Sequence, residues 1–369
     1  MTRCQVWKKS KQFICSLTFL LIIITANLLW ADTSDGTVSQ LTTSGPVPSA
    51  RSAVGTAALG DDIYFFGGLK EFFATRENTF FNDLYRFNTK KNTWEKLSPT
   101  GTPPSPRGHV AAIADKKTGI IYIFGGSHFG KNYQDMTMYN DLWAYSISNN
   151  SWRKIEPSTP EVPPERAHPF IHLIDNRLYI LAGYTPNWGI VNDMWIFDLA
   201  TSAWRKLTPK NPAPLTNQTP LGGDVDKEHF IFFDGRQTWE FNLKTTEWKD
   251  ITPAKPNNIS AGYVDSQVAF LGPYMYLQGG DKMGGKQITG CNVPYPQSES
   301  NDLWRFDLRQ HIWKQLTPAG VTLPKIKWGS GVAVNNKIYY FFGYDFSCPP
   351  DGKGTGQQTF NQNVYVFTP

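Results

Sequence analysis

The chain has 369 residues, with 36 Lys plus Arg against 31 Asp plus Glu, and 14% of it is aromatic. Four of the cations, Arg3, Lys8, Lys9 and Lys11, lie in the first 31 residues, so the rest carries 32 cations against 31 anions. A near-neutral body without a basic stripe excludes the electrostatic footprint of a nucleic-acid binder.

Residues 1–31 join that basic start to an apolar run, FICSLTFLLIIITANLLW, and read as a signal peptide. The run is also long enough for an uncleaved N-terminal anchor, whose lysines would keep the N-terminus cytoplasmic in a type II arrangement. Both readings put the folded part in a secreted, periplasmic or luminal compartment, touching a membrane only if the leader is retained. Residues 32–37 are expected to be a short linker and 38–369 a single domain. Cys4 and Cys15 fall in the leader, leaving Cys291 and Cys348, which an oxidising compartment favours pairing; two separate thiols are the alternative. Asn149, Asn217 and Asn258 stand in N-x-S/T contexts.

From residue 63 onward the chain repeats one pattern. An apolar strand ends in glycine, as in IYFFGG (63–68), IYIFGG (121–126), LYILAG (178–183), FIFFDG (230–235), MYLQGG (275–280) and IYYFFG (338–343). Downstream of it come NDLYRF (82–87), NDLWAY (140–145), NDMWIF (192–197), the weaker QTWEF (237–241), NDLWRF (301–306) and NVYVF (363–367). Nine residues after the first aromatic stands a tryptophan: Trp94, Trp152, Trp204, Trp248 and Trp313. Each unit predicts a four-stranded antiparallel sheet, strands a to d, because β-branched and aromatic runs alternate with polar turns. In the second unit these are HVAAIAD, GIIYIFGG, DLWAYSI and SWRKIEP. The recurrent aromatics are expected to pack between neighbouring sheets rather than touch a ligand. Six such units in radial array make an all-β propeller.

The glycine doublet, the aromatic after NDL and the later tryptophan resemble the kelch repeat, and the resemblance covers about residues 38–369. It implies a six-bladed kelch β-propeller. Ala182, Asp234 and Phe342 depart from the first glycine, and the fourth unit lacks NDL, which makes it the least regular blade. The sixth unit stops after strand c. Residues 38–50 look like the end of a d strand and its following loop, so the N-terminal segment is expected to supply strand d of the last blade and close the ring.

The b-to-c connections are long and the a-to-b and c-to-d connections short, which marks the b-to-c and d-to-a rim as the binding face. Its loops offer Phe72, Phe73, Arg76, His128, Tyr133, Asp135, Trp188, Asp281 and Lys282. Cys291 and Cys348 lie in adjacent long loops, where a disulfide would pin two floppy insertions. At the mouths of the a strands, PSARSAV, PSPRGHV and PERAHPF place Arg51, Arg107 and Arg166 equivalently, with Lys327 approximately aligned. These cations either form a partial ring for a carboxylate or tie down the Pro-rich loops by bonding carbonyls.

No catalytic or metal-binding constellation stands out, and neither metal nor cofactor is expected. His168 and His172 are four apart but fit stacked strand positions better than ligands; His109 and His168 occupy matching places. Among enzymatic relatives that the resemblance brings in, the galactose-oxidase-like copper enzymes have seven blades and a cysteine that this chain does not match. The iron-binding Glu/Asp/His motif of plant nitrile-specifying proteins is not found either. Secreted six-bladed sialic-acid mutarotases are nearer in size, compartment and blade number. The leading expectation is a monomeric, non-enzymatic module binding a protein or glycan through the long-loop face. The alternative is a mutarotase or epimerase acting on an anionic sugar, such as sialic acid, at the central pocket.

Overall fold

The computed structural model describes residues 35–369 other than 188, 213–220, 225, 285–287, 292, 294–296 and 350. These residues form six four-stranded antiparallel blades around one axis, with strand a innermost. Blade 1 runs Gly55–Leu59, Asp62–Phe66, Leu84–Asn88 and Thr93–Leu97; blade 2 runs Ala111–Asp115, Ile120–Phe124, Leu142–Ser146 and Ser151–Ile155. Even the irregular fourth unit makes all four strands, starting at Leu221–Asp224.

The spacing that defines the repeat comes from the hairpin between strands c and d. In four blades the residue after the second aromatic is Asn or Asp. The side chains of Asn88, Asp198, Asn242 and Asp307 accept hydrogen bonds from backbone N–H groups two or three residues on. This Asx turn, followed by a residue of positive φ such as Asn92 or His311, fixes the loop length. It sets the aromatic directly across from the tryptophan: Phe87 from Trp94, Phe197 from Trp204, Phe241 from Trp248 and Phe306 from Trp313; in blade 2, where Ser146 accepts the Asn149 N–H instead, Tyr145 faces Trp152 likewise. Their ring centres lie 4.8 to 5.2 Å apart. The tryptophans also reach the preceding blade, Trp152 meeting Phe66 at 5.2 Å and Trp313 meeting Phe233 at 5.3 Å. Each is therefore part of the glue between sheets, where a large flat ring buries the most area.

The second glycine of the doublet is the one the fold requires. Gly68, Gly126, Gly183, Gly235, Gly280 and Gly343 all have φ between +82° and +128°. A Cβ on Gly126 would stand 2.8 Å from the Gly108 carbonyl oxygen. The N–H groups of Gly68, Gly126 and Gly343 donate to the carbonyls of Arg107, Arg166 and Arg51 in the next blade round. Ala182 and Phe342 take the first position with φ of +55° and +56°, close to the +69° of Gly67, so these departures change the residue and leave the backbone path alone.

The ring closes as the sequence predicts. Residues Thr37–Leu41 pair antiparallel with Val364–Thr368 and complete the last blade, Val38 facing Phe367. The seam begins before residue 38: Asp35 accepts hydrogen bonds from the Thr317 N–H and hydroxyl and pairs with Lys314 at 2.6 Å. Beyond the strand, the Ser44 carbonyl accepts the Trp94 N–H, carrying the segment on to blade 1.

The long insertions correct the expectation of floppy loops. Three fold back as short hairpins, Leu69–Phe72 with Glu77–Phe80, Ser127–His128 with Thr137–Met138, and Tyr344–Ser347 with Gln357–Phe360. The Cys291–Cys348 disulfide, with Cα atoms 6.0 Å apart, joins the insertions of blades 5 and 6 beside a buried cluster of Phe73, Tyr344 and Phe346. Among the described residues no helix is long and apolar enough to cross a membrane.

Candidate functional site at the mouth of the channel

The three matched arginines are structural clasps. Arg107 is 1% exposed, and its guanidinium makes two bonds to Asp141, at 2.5 and 3.1 Å, plus bonds to the Gly125 and Ser105 carbonyls. Arg51 repeats this with Asp83, Gly67 and Ser49, and Arg166 with Asp193, Ala182 and Pro164. The aspartate is the one in each NDL or NDM triplet, so that acid and the loop arginine form a planar bidentate pair. Burial pushes Asp193 up, but the bonds from Arg166 and Trp195 outweigh it and hold the carboxyl below its usual range. The guanidiniums face their own blades and do not ring the channel.

Lys327 lies one place further along than the sequence alignment suggested. Its bridge to Tyr344 matches those of Ser52 to Leu69, Gly108 to Ser127 and Ala167 to Tyr184. The residue equivalent to Arg51, Arg107 and Arg166 is Ile326 in blade 6 and Tyr263 in blade 5. Lys327 is fully buried, 2.5 Å from Asp281 and 3.6 Å from Glu299.

The following position forms the neck of the channel. Ala53, His109, His168, Asp265 and Trp328 occupy it in five blades, all with φ between +53° and +59°. Their backbones link blade to blade: the N–H of Trp328 donates to the Asp265 carbonyl, Ala53 to Trp328, His109 to Ala53 and His168 to His109. The side chains converge, with the His109 ring 4.6 Å and the His168 ring 4.4 Å from that of Trp328. Asp265 and Trp328 line both a mouth cavity of about 430 Å³ on the long-loop face and a channel cavity of about 460 Å³ between the a strands.

The mouth cavity holds the chemistry. Its walls include Phe129, Tyr133, Tyr184, Trp328 and Tyr344, with Ser52, Glu71, His109 and Asp265 among them. Burial pushes the Glu71 carboxyl up, against the opposing hydrogen bond from the Tyr133 hydroxyl. Burial likewise takes Asp265 to about 6, Lys327 opposing and Asp281 reinforcing the rise. Glu299, behind the wall beside Lys327, is raised to about 7 for the same reason. Burial pushes both histidines the other way, His109 well below its ordinary value and His168 to about 3, so both are neutral imidazoles near pH 7. His109 Nδ1 lies 2.8 Å from the Ser127 hydroxyl, while His168 Nε2 finds no hydrogen-bond partner among the described residues. Two carboxyls that burial makes weaker acids, Asp265 to about 6, set among aromatic faces, are equipped for general acid–base work.

Of the other rim residues, Tyr133 lines this cavity and Asp281 secures Lys327. Phe72 stands 37% exposed on the blade 1 hairpin, with the Lys70 ammonium 4.9 Å from its ring. Arg76 acts electrostatically on Glu71 and Tyr133 without lining the cavity, and the His128 ring packs 4.6 Å from Phe80. Trp188 lies outside the described residues. His172 packs against Phe170 and Phe230, away from His168. Among the described residues no group of three or more His, Cys, Asp or Glu is placed to hold a metal ion. Glu71, Asp265 and Trp328 escape a reading of the sequence that follows the arginines. Aligning the repeats one residue past Arg51 would have brought Asp265 and Trp328 into register with His109 and His168.

Residues 23–232 match the family described as KLHDC2/KLHL20/DRC7 Kelch-repeats domain. The chain is 31% identical over 175 residues to the Leucine-zipper-like transcriptional regulator 1 homolog of Drosophila melanogaster, covering 46% of this chain and 17% of that protein. It is 28% identical over 194 residues to Kelch domain-containing protein 3 of Bos taurus, covering 51% of this chain and 49% of that protein. It thus spans about half or less of the length of these curated relatives. Among solved structures, that titled "Structure of YjhT" superposes with a TM-score of 0.57 at 14% identity, covering 85% of this chain and 99% of that one, a likeness of fold. With the glycine doublets, the Asx-turn hairpins and the aromatic pairs in place, and more than half of its length matched, this chain belongs to the KLHDC2/KLHL20/DRC7 Kelch-repeats family.

Proposed function

We propose that the mouth cavity binds a sugar and interconverts its ring forms, as a mutarotase or epimerase does. The observation that carries this is the placement of Glu71, Asp265 and neutral His109 in one aromatic-walled cavity over the channel. Its volume, about 430 Å³, falls within the range of small-molecule sites. Opening a sugar hemiacetal requires a base to take the proton of the anomeric hydroxyl and an acid to protonate the ring oxygen. The carbonyl forms as the bond between anomeric carbon and ring oxygen breaks, and reclosure on the other face gives the other anomer. Atoms and electrons balance without an oxidant. Asp265, with its acidity near 6, suits the base, and Glu71, which burial inclines to keep its proton, suits the acid. The test is exchange of anomeric signals by magnetisation-transfer NMR over a panel of reducing sugars, with Asp265→Asn and Glu71→Gln as controls. Acceleration that both variants lose supports the reading; no acceleration with any sugar overturns it.

The second reading, recognition of a protein or glycan by the rim without catalysis, is favoured by Phe72, exposed on its strand-paired hairpin. A partner whose binding falls with Phe72→Ala while sugar exchange is absent would select it. We also propose that the chain works as a monomer in an oxidising compartment outside the cytosol, which the disulfide supports. Intact mass and thiol labelling of the native protein test this: a free pair of thiols overturns it.

A further inference from the structure

We infer that the sugar taken by the mouth cavity carries a protonated amine. This rests on the reading of the cavity as a sugar site and names the class of sugar. Among the described residues, the formally charged side chains lining the cavity are Glu71 and Asp265, both acids. Among the described residues no cation lines the cavity; Arg76 acts on Glu71 and Tyr133 from outside its lining. Arg51, Arg107 and Arg166 are buried in bidentate pairs with Asp83, Asp141 and Asp193, and Lys327 is enclosed by Asp281 and Glu299.

The walls point the same way. Trp328, Tyr133, Tyr184 and Tyr344 line the same cavity as the two carboxyls, and aromatic faces attract cations through their quadrupole. An ammonium group therefore finds a charge-assisted acceptor in Asp265, a neutral carboxyl acceptor in Glu71 and π faces together. A neutral sugar would keep the stacking and forgo the ion pair. An anionic sugar would bring a second negative charge against Asp265, with buried Lys327 already answered by Asp281 and Glu299.

The experiment is calorimetric titration of the full chain with four probes: glucosamine, glucose, N-acetylglucosamine and N-acetylneuraminic acid. Glucosamine is expected to bind about ten-fold more tightly than glucose or the N-acetyl sugar, with the acidic sugar weakest. In Asp265→Asn the preference for the amine should shrink to about two-fold, while Glu71→Gln, which removes no charge, should largely keep it, with circular dichroism showing the propeller intact in both. Glucose or N-acetylglucosamine binding as tightly as glucosamine overturns the amine assignment and leaves the sugar site standing. Binding of none of the four overturns the sugar site itself, and the assignment with it.

Discussion

The backbone N–H of His168 donates to the carbonyl of His109 at 2.7 Å, and the two imidazoles lie 4.6 Å apart between ring centres. One blade hands its neck residue to the next, and two potential cations are brought together at the channel neck where burial disfavours their charge. Burial accordingly holds His168 at about 3 and His109 well below the ordinary histidine range. In the unfolded chain both bind protons near pH 6.5, so the stability they confer is full above that pH and is lost as pH falls toward 3. His168→Asn keeps a residue tolerant of positive φ and cannot titrate. Urea unfolding should show its stability declining less steeply than that of the wild type between pH 6.5 and 4.

Asp265 has the opposite sign. Its folded acidity, near 6, is weaker than the ordinary carboxyl value of 3.8, so its contribution is full below about pH 4 and is lost as pH rises through 6. Asp265→Asn should match the wild type near pH 4 and be about 2 kcal/mol more stable at pH 8, read by the same urea titrations. A protein that gains stability when its catalytic base is removed is expected where a site holds a charge for chemistry rather than for folding. The variant should accordingly lose sugar exchange.

Arg107 and Asp141 are 1% and 18% exposed, a pair that is costly to break from one side. Arg107→Ala leaves a carboxylate with only the Trp143 indole N–H to answer it. It should cost about 3 kcal/mol in guanidinium unfolding. Arg107→Lys keeps the charge but cannot make the fork, and should recover about half of that loss. Sugar binding at the mouth by the folded fraction should not change, because the guanidinium does not line the cavity.

The blades, their number and the closing strand were legible because each depends on local chemistry repeated many times. The Asx turn after Phe87, Phe197, Phe241 and Phe306, and the aromatic opposite each tryptophan, recur at fixed spacing whatever surrounds them. The arginines were legible as equivalent residues, yet their partners were not. The aspartates lie 27 to 34 residues away in sequence, and only the fold shows that each NDL acid turns back toward the loop. The mouth cavity was harder still, since Glu71, Asp265 and Trp328 come from blades 1, 5 and 6 and share no motif. What joins Asp265 and Trp328 to His109 and His168 is a backbone conformation, φ near +55°, which four different side chains adopt.

Ring closure supplies the last prediction. Val38 is 2% exposed and packs with Leu316, Ile338 and Phe367, while its strand covers the open edge of Val364–Thr368. A chain lacking residues 1–41 would leave five residues of strand c without their outer partner and would separate blade 6 from Ala319 and Gly320 of blade 5. Since every blade packs on two others, opening one seam removes the constraint that holds all six in register. The truncated chain should lose its single cooperative melting transition in calorimetry and expose apolar surface to a fluorescent dye. Asp35→Ala removes only solvent-facing contacts of the same segment and should shift stability by less than about 1 kcal/mol. If the truncated chain melts as the wild type does, the N-terminal strand is a cover on a ring already closed without it.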